Sequence, residues 1–260
     1  RTIALVNTFD RRTFLAAGAA LLAACSSSTA SGDNPAPRIP GMPDLPTGGS
    51  VRAAITSVVM VGDSITEGSQ EALLATFESA GVDDVRIEGK ASRRIEVGNG
   101  KGSAPLSGVG TVYTLLSEGA DPSAWVIALG TNDVGSYADA TAYGALIDSI
   151  LDMLPAAKPL VWVNTYRDDH LDDTLVFNTV LAERLDARGN AAVADWFAVA
   201  SAPDQSVLRS DNLHPNENGQ NALALLVLAA LQQFLRRGSQ RSPRCWRRID
   251  RSMRACARIR

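Results

Sequence analysis

Residues 55–80 read ITSVVMVGDSITEGSQEALLATFESA. The run Ile55–Val61 is short, apolar and rich in β-branched side chains, the pattern of a strand buried on both faces. Gly62-Asp63-Ser64-Ile65-Thr66 then interrupts it with turn-forming polar residues, and Thr66–Ala80 follows as an amphipathic stretch of helical length. The same alternation recurs downstream. Further strands are predicted at Val85–Glu88, Trp125–Leu129, Leu160–Thr165 and Ala191–Asp195. Helices are predicted at Gly110–Glu118, Ala138–Leu154, Thr174–Arg188 and Glu217–Arg236. Strand–helix alternation with right-handed crossovers predicts a three-layer α/β/α sandwich around a mostly parallel, flavodoxin-like sheet of about five strands. No internal repeat is visible.

The sequence on either side of this domain has a different character. Residues 11–25 carry the pair Arg11-Arg12, about a dozen small apolar residues and then Cys25. A basic start, a short apolar stretch and small residues are the layout of a secretory signal, and the stretch is too short to anchor stably across a bilayer. The arginine pair before Phe14-Leu15 resembles a twin-arginine signal, and Leu22-Ala23-Ala24-Cys25 resembles a lipobox with Cys25 as the lipidated residue. Residues 1–24 are therefore assigned as an export signal. Residues 25–50 follow as a tether, because proline, serine and glycine dominate and too little apolar surface is present to offset the entropy of ordering. The domain proper spans 51–235. Residues 236–260 hold ten arginines against the single acid Asp250, no lysine and little apolar periodicity, which reads as a disordered extension, with charge-driven binding to anionic wall polymers or phospholipid headgroups as the alternative.

The net charge of −3 across 260 residues conceals this asymmetry: the tail carries +9, leaving −12 on everything before it. An acidic body does not attract a phosphate backbone, so nucleic acid is not an expected partner. No apolar run reaches the ~18 residues of a membrane-spanning helix. Three cysteines cannot form a disulfide framework, and all of them (Cys25, Cys245, Cys256) lie outside the domain, which excludes a cysteine nucleophile there. With only His170 and His214 present, most histidine-rich metal sites are excluded, and neither metal nor cofactor is expected.

In sheets of this kind ligands sit beyond the carboxyl ends of the strands. Four polar blocks fall there: Gly62–Thr66, Ala91-Ser92-Arg93-Arg94, Gly130-Thr131-Asn132-Asp133, and Asp211-Asn212-Leu213-His214-Pro215. A serine hydroxyl needs a base to take its proton, and the base needs a partner to fix its tautomer. Ser64, His214 and Asp211 supply those roles, with Asp211 three residues before His214 and so able to fold back onto the imidazole. Negative charge developing on a carbonyl oxygen needs preorganised donors. The Asn132 amide and the backbone N–H groups of Ser64 and Ser92 are the candidates.

These blocks, in this order over residues 55–235, resemble the SGNH or GDSL hydrolases. The resemblance implies Ser64 as nucleophile, Asn132 as an oxyanion donor, and Asp211 and His214 as the rest of a triad. It also implies small acyl esters as substrates, on carbohydrate or on short-chain lipid. One position departs from the family pattern, which usually places a glycine in the second block where Ser92 stands. If that site needs positive φ, the serine Cβ carries a steric cost, and Gly89 is the alternative under a shifted register. The sequence does not fit the α/β-hydrolase elbow Gly-x-Ser-x-Gly, because Thr66 occupies the second glycine's place.

Other features read more plainly. Asp63 and Asp133 are expected to brace loops as hydrogen-bond acceptors. Residues 168–173 (Asp-Asp-His-Leu-Asp-Asp) read as a solvated acidic loop rather than a metal cluster, although Arg167 and His170 follow a strand and could line the cleft. Gly98–Ser103 lacks the first glycine of a phosphate loop and reads as a flexible segment. Trp125, Trp162 and Trp196 are expected in the core, with Trp196 the one able to form a pocket wall. The expected protein is an exported serine esterase of the cell envelope or surface, lipid-anchored at the membrane. Acyl transfer by the same residues is a second reading, and a carbohydrate-binding module without turnover is a third.

Overall fold

The computed structural model describes residues 55–203 and 206–240, with side chains through Phe234. The expected signal (1–24), the tether (25–50), Cys25 and residues 241–260 lie outside the described residues, whereas 236–240, expected as the start of a disordered tail, continue the last helix. Five strands form one sheet: β1 (Ser57–Gly62), β2 (Asp84–Gly89), β3 (Ala124–Ala128), β4 (Leu160–Val163) and β5 (Ala191–Ala194). Their order is β2-β1-β3-β4-β5 and every pairing is parallel. This is the doubly wound, flavodoxin-like order that the alternation predicted.

Period-two side-chain alternation divides the interior into two cores, one on each face of the sheet. Val58, Met60, Val126, Ala128, Val161 and Val163 face one side with Leu73, Phe77 and the apolar stripe Ala222–Leu231. Val59, Val61, Trp125, Ile127, Leu160 and Trp162 face the other with Leu115, Ile147, Ile150, Phe177 and Leu181. The first core is covered by α2 (Gln70–Ser79) and α7 (Glu217–Gln240), the second by α3 (Gly108–Ser117), α4 (Ala140–Leu151) and α5 (Leu171–Arg188). Helices on both faces make the three layers. No described helix is long and apolar enough to cross a membrane.

Several boundaries differ from the sequence expectation. The helix predicted at Thr66–Ala80 is two helices, α1 (Ser64–Gly68) and α2, separated at Ser69. Gly68 and Ser69 are poor helix formers, and Ser69 leaves helical geometry (φ −104°, ψ 6°) while its N–H still bonds the carbonyls of Ile65 and Thr66. The first helix starts two residues early because Asp63 caps it: its Oδ1 accepts from the Ile65 N–H at 2.9 Å. A short helix not anticipated from the sequence, α6 (Trp196–Ala200), follows β5 and is capped by Asp195, whose side chain accepts from Ala198 N–H. It carries Trp196 fully into the core, where the indole helps line a small cavity with Asp63, Ile65 and Thr131. A 3-10 turn, Asp168–His170, precedes α5.

β1 and β3 are neighbours although β2 lies between them in sequence, and β1 leads outward to β2 on its other side. That reversal opens a crevice at the carboxyl ends of β1 and β3, where Gly62-Asp63-Ser64 and Gly130–Asp133 emerge together.

Candidate active site

Ser64 is the first residue of α1, directly beyond the end of β1. A Cβ on Gly62 would collide with the Thr66 side chain, so the strand passes into the helix only with glycine there. Asp63 is completely buried, and burial pushes its carboxyl up to about 6 against the lowering effect of the Ile65 N–H.

Some 150 residues later, the loop before α7 delivers the base. The chain closes on itself through Arg209 N–H to His214 O (2.8 Å) and a bridge between Leu208 and Pro215. Asn212 sits at its apex with φ +54°, a left-handed conformation that asparagine tolerates better than most residues. Asn216 braces the exit, donating to the carbonyls of Ser206 (2.9 Å) and Leu208 (3.1 Å) while accepting from Gly219 N–H (3.1 Å).

Within this loop one oxygen of Asp211 accepts the backbone N–H groups of Leu213 (3.0 Å) and His214 (2.9 Å). The other lies 2.8 Å from His214 Nδ1. The His214 backbone N–H is the largest cause holding the Asp211 carboxyl down at about 2, followed by its ring and the Leu213 N–H, so Asp211 is ionised at neutral pH. An ionised acceptor at Nδ1 selects the tautomer with the proton on that nitrogen. The lone pair of Nε2 then faces Ser64 Oγ, 2.9 Å away, and the hydroxyl can donate to it. The three residues separated in sequence are thus one hydrogen-bonded relay, and it is open to solvent: the His214 and Asp211 side chains are 32% and 48% exposed.

The third block sits across the crevice. Gly130 has φ +125°, accessible only to glycine, and the Phe177 ring fills the space a Cβ would need. The turn closes through Asp133 N–H to Gly130 O (2.8 Å) and presents Asn132, whose Nδ2 donates to Arg93 O at 3.0 Å. A second, longer contact reaches Asp63 Oδ2 at 3.4 Å. Asp133 points inward, accepting from Ile95 N–H (3.0 Å) and pairing with Arg94 (3.2 Å); burial pushes its carboxyl up to about 6. Arg167 donates to the carbonyl of Thr131 (3.1 Å) and is held by Asp169. The His170 ring lies against Gly135. Both therefore steady the loop around Asn132 from the β4 side. Nothing in the sequence pointed to Thr131 as the anchor.

In the second block Ser92 has φ +61°, so this position does require the left-handed conformation that glycine favours. The shifted-register alternative, Gly89, ends β2 opposite Gly62 and is pressed against the backbone of Glu67, which accounts for its lack of a side chain. Neither the Ser64 nor the Ser92 backbone N–H has a hydrogen-bond acceptor among the described residues. The crevice thus combines a hydroxyl on a base, an ionised partner for that base, and unbonded donors nearby. Among the described residues no group of three or more His, Cys, Asp or Glu side chains is placed to hold a metal ion.

A parallel α/β/α sandwich with such a relay at its switch point defines a class, the hydrolases of the SGNH kind. Residues 60–222 match the model of the GDSL-like lipase/acylhydrolase family, and the chain belongs to that family and is an ester-hydrolysing enzyme. A comparison with curated proteins found no match. Among solved structures, the chain is similar to the C-terminal catalytic domain of Streptococcus pneumoniae peptidoglycan O-acetyltransferase A (19% identity, TM-score 0.53, covering 69% of this chain and 94% of that one). It is also similar to a Clostridium thermocellum family 3 carbohydrate esterase (17%, TM-score 0.51, 70% and 97%). A carbohydrate acetylesterase family member from Sinorhizobium meliloti matches likewise (15%, TM-score 0.51, 69% and 99%). At these identities the likeness is one of fold.

Proposed function

We propose that the protein is a serine esterase that removes short acyl groups, acetyl above all, from a carbohydrate carrier. The relay from Asp211 through His214 to Ser64 carries this reading. As Ser64 Oγ attacks the ester carbonyl, its proton passes to His214 Nε2, and Asp211 stabilises the imidazolium so formed. The carbonyl oxygen becomes an oxyanion, accepted by the N–H groups of Ser64 and Ser92 and by the Asn132 amide. Collapse expels the alcohol, which takes the proton from His214 and leaves an acyl-serine. Water, deprotonated by the same histidine, attacks that ester and releases the acid and free Ser64.

Two observations support the substrate class. The relay is part-exposed at the rim of the sheet, which suits a short acyl group on a bulky polar carrier better than a long chain in an enclosed channel. The carbohydrate esterases and the O-acetyltransferase described above share the fold, and two of those three proteins are named for acetyl chemistry. The O-acetyltransferase likeness also supports a second reading, transfer to a sugar hydroxyl in place of water, because the acyl-serine is common to both. The form of residues 11–25 supports export and attachment through Cys25, giving the enzyme the cell envelope as its place of work.

Turnover of p-nitrophenyl acetate tests the proposal, with S64A as control. The expected result is activity in the wild type and a rate lower by about a thousandfold or more in S64A; equal rates would overturn it. Adding a sugar acceptor separates the two readings, since transfer yields a new ester and hydrolysis only acetate.

A further inference from the structure

The backbone at Ser92 takes the left-handed conformation that glycine favours, at φ +61°. An L-residue carries a steric cost in that conformation, and serine lacks the tolerance that asparagine shows at Asn212. The adjacent side chain provides a compensating set of bonds. Arg93 is almost wholly buried, only 6% exposed, in a crevice rim where the neighbouring Lys90, Ala91 and Ser92 are exposed. Its Nη1 donates to the carbonyl of Gly62 at 2.9 Å and to that of Glu88, and its Nε donates to Leu106 O at 3.0 Å. Among the described residues it forms no ion pair, and its charge is offset at longer range by Glu88, Asp63 and Glu67. A buried guanidinium satisfied by carbonyls alone is an expensive arrangement for a residue that merely fills space.

The three carbonyls lie at informative places. Gly62 ends β1, two residues before Ser64; Glu88 lies at the end of β2; and Leu106 lies in the approach to α3. The side chain therefore ties the loop that carries Ser92 to the end of β1, the strand that leads into the helix bearing Ser64. The backbone of the same residue completes the tie, since Arg93 O accepts from Asn132 Nδ2 at 3.0 Å. Arg93 thus follows Ser92 in the chain, bonds Asn132 directly and grips the strand end two residues before Ser64.

We infer that Arg93 is the positioning residue of the oxyanion pocket, anchoring its loop so that Ser92 is held at positive φ and Asn132 stays aligned with Ser64. This rests on the esterase reading for its kinetic consequence, but its structural claim stands by itself. Arg93 touches no reacting atom. Its fork of donors allows simultaneous bonds to separate carbonyls, which a lysine ammonium on a flexible stem does not reproduce. The S92G substitution removes the steric cost that the anchor offsets, so the need for Arg93 falls when Ser92 is replaced.

The test is a double-mutant cycle of R93K and S92G. In full-length protein with p-nitrophenyl acetate, R93K is expected to lower kcat by about tenfold or more with KM changed by less than about threefold. The same substitution in the S92G background is expected to cost less than about threefold. A role in general stability alone predicts a lower melting temperature without that kcat-against-KM split or the recovery. A loss below about threefold for R93K, or equal losses in the wild-type and S92G backgrounds, would overturn the inference. If R93K alone does not fold, S92G/R93K compared with S92G decides: a folded protein within about threefold supports it, and a larger loss or misfolding overturns it. Backbone and side-chain amide NMR keeps the two claims apart. An inactive wild type counts against the esterase reading, whereas Ser92 N–H and Asn132 Nδ2 signals that do not move in R93K count against the role of Arg93.

Discussion

Asn132 reaches the crevice from the turn after β3, and a bond from its amide to Arg93 O holds it there. An oxyanion donor contributes mainly after the carbonyl has become tetrahedral, so its loss reduces kcat more than it raises KM. For N132A we expect kcat to fall by about 10²–10³ with KM within a few-fold, measured on an aryl acetate. Ser92 makes the opposite kind of prediction, one about stability. Its left-handed backbone costs about 1 kcal/mol relative to glycine, so S92G should raise the melting temperature by about 2–4 °C in calorimetry. At this scale the sequence was informative wherever chemistry demands a residue type. Serine, histidine three residues after aspartate, and asparagine after a strand are each legible by spacing. The strain at Ser92 was foreshadowed only by the family resemblance, which implies a glycine there. Arg93 was not, because nothing in a pair of adjacent arginines distinguishes the one that turns inward onto three carbonyls from Arg94, which pairs with Asp133.

Among the elements, the strands were placed within one or two residues; for the inner strands β1, β3 and β4 this follows because burial on both faces needs continuous apolar runs, whereas the edge strand β2 is half-exposed along its length. The helices were less legible. The break at Ser69 falls at the weak helix formers Gly68 and Ser69, which a continuous amphipathic pattern does not reveal, and α6 is too short for a 3.6-residue period to appear. The turn after β3 couples element to site: Gly130 has φ +125° and faces the Phe177 ring, which belongs to α5. G130A must therefore strain the backbone and displace that ring together. We expect a loss on the order of 3 kcal/mol in denaturant unfolding, and a fall in kcat beyond that seen for a surface glycine such as Gly68, where a Cβ meets nothing.

For the molecule as a whole, the carboxylates divide into two groups with opposite pH effects. Asp133 is buried and its pKa is raised to about 6, so between about pH 4 and 6 the folded state holds a proton that the unfolded chain has released. Its stabilising share is complete below that window and is lost as pH rises through it. Asp211, lowered to about 2, contributes above about pH 4 and loses its share as pH falls towards 2. D133N removes the first effect alone. Its stability relative to wild type should improve by on the order of 2 kcal/mol between about pH 4 and pH 7, whereas a difference independent of pH would contradict the assignment. The fold class and the edge of the sheet that carries the site were legible from alternation and block order. The two raised carboxyls were not, since burial is a property of the assembled sandwich and Asp63 and Asp133 look in sequence like any loop acids.

In the proposed mechanism Ser64 carries the acyl group between the two half-reactions. Mass spectrometry of the intact protein, quenched during turnover of p-nitrophenyl acetate and then mapped by peptide, tests it most directly. One added acetyl group is expected, located on the peptide at Ser64, absent in S64A and slow to form in H214A. Continued release of acetate with no acetyl on Ser64, or with the acetyl on another residue, would contradict it.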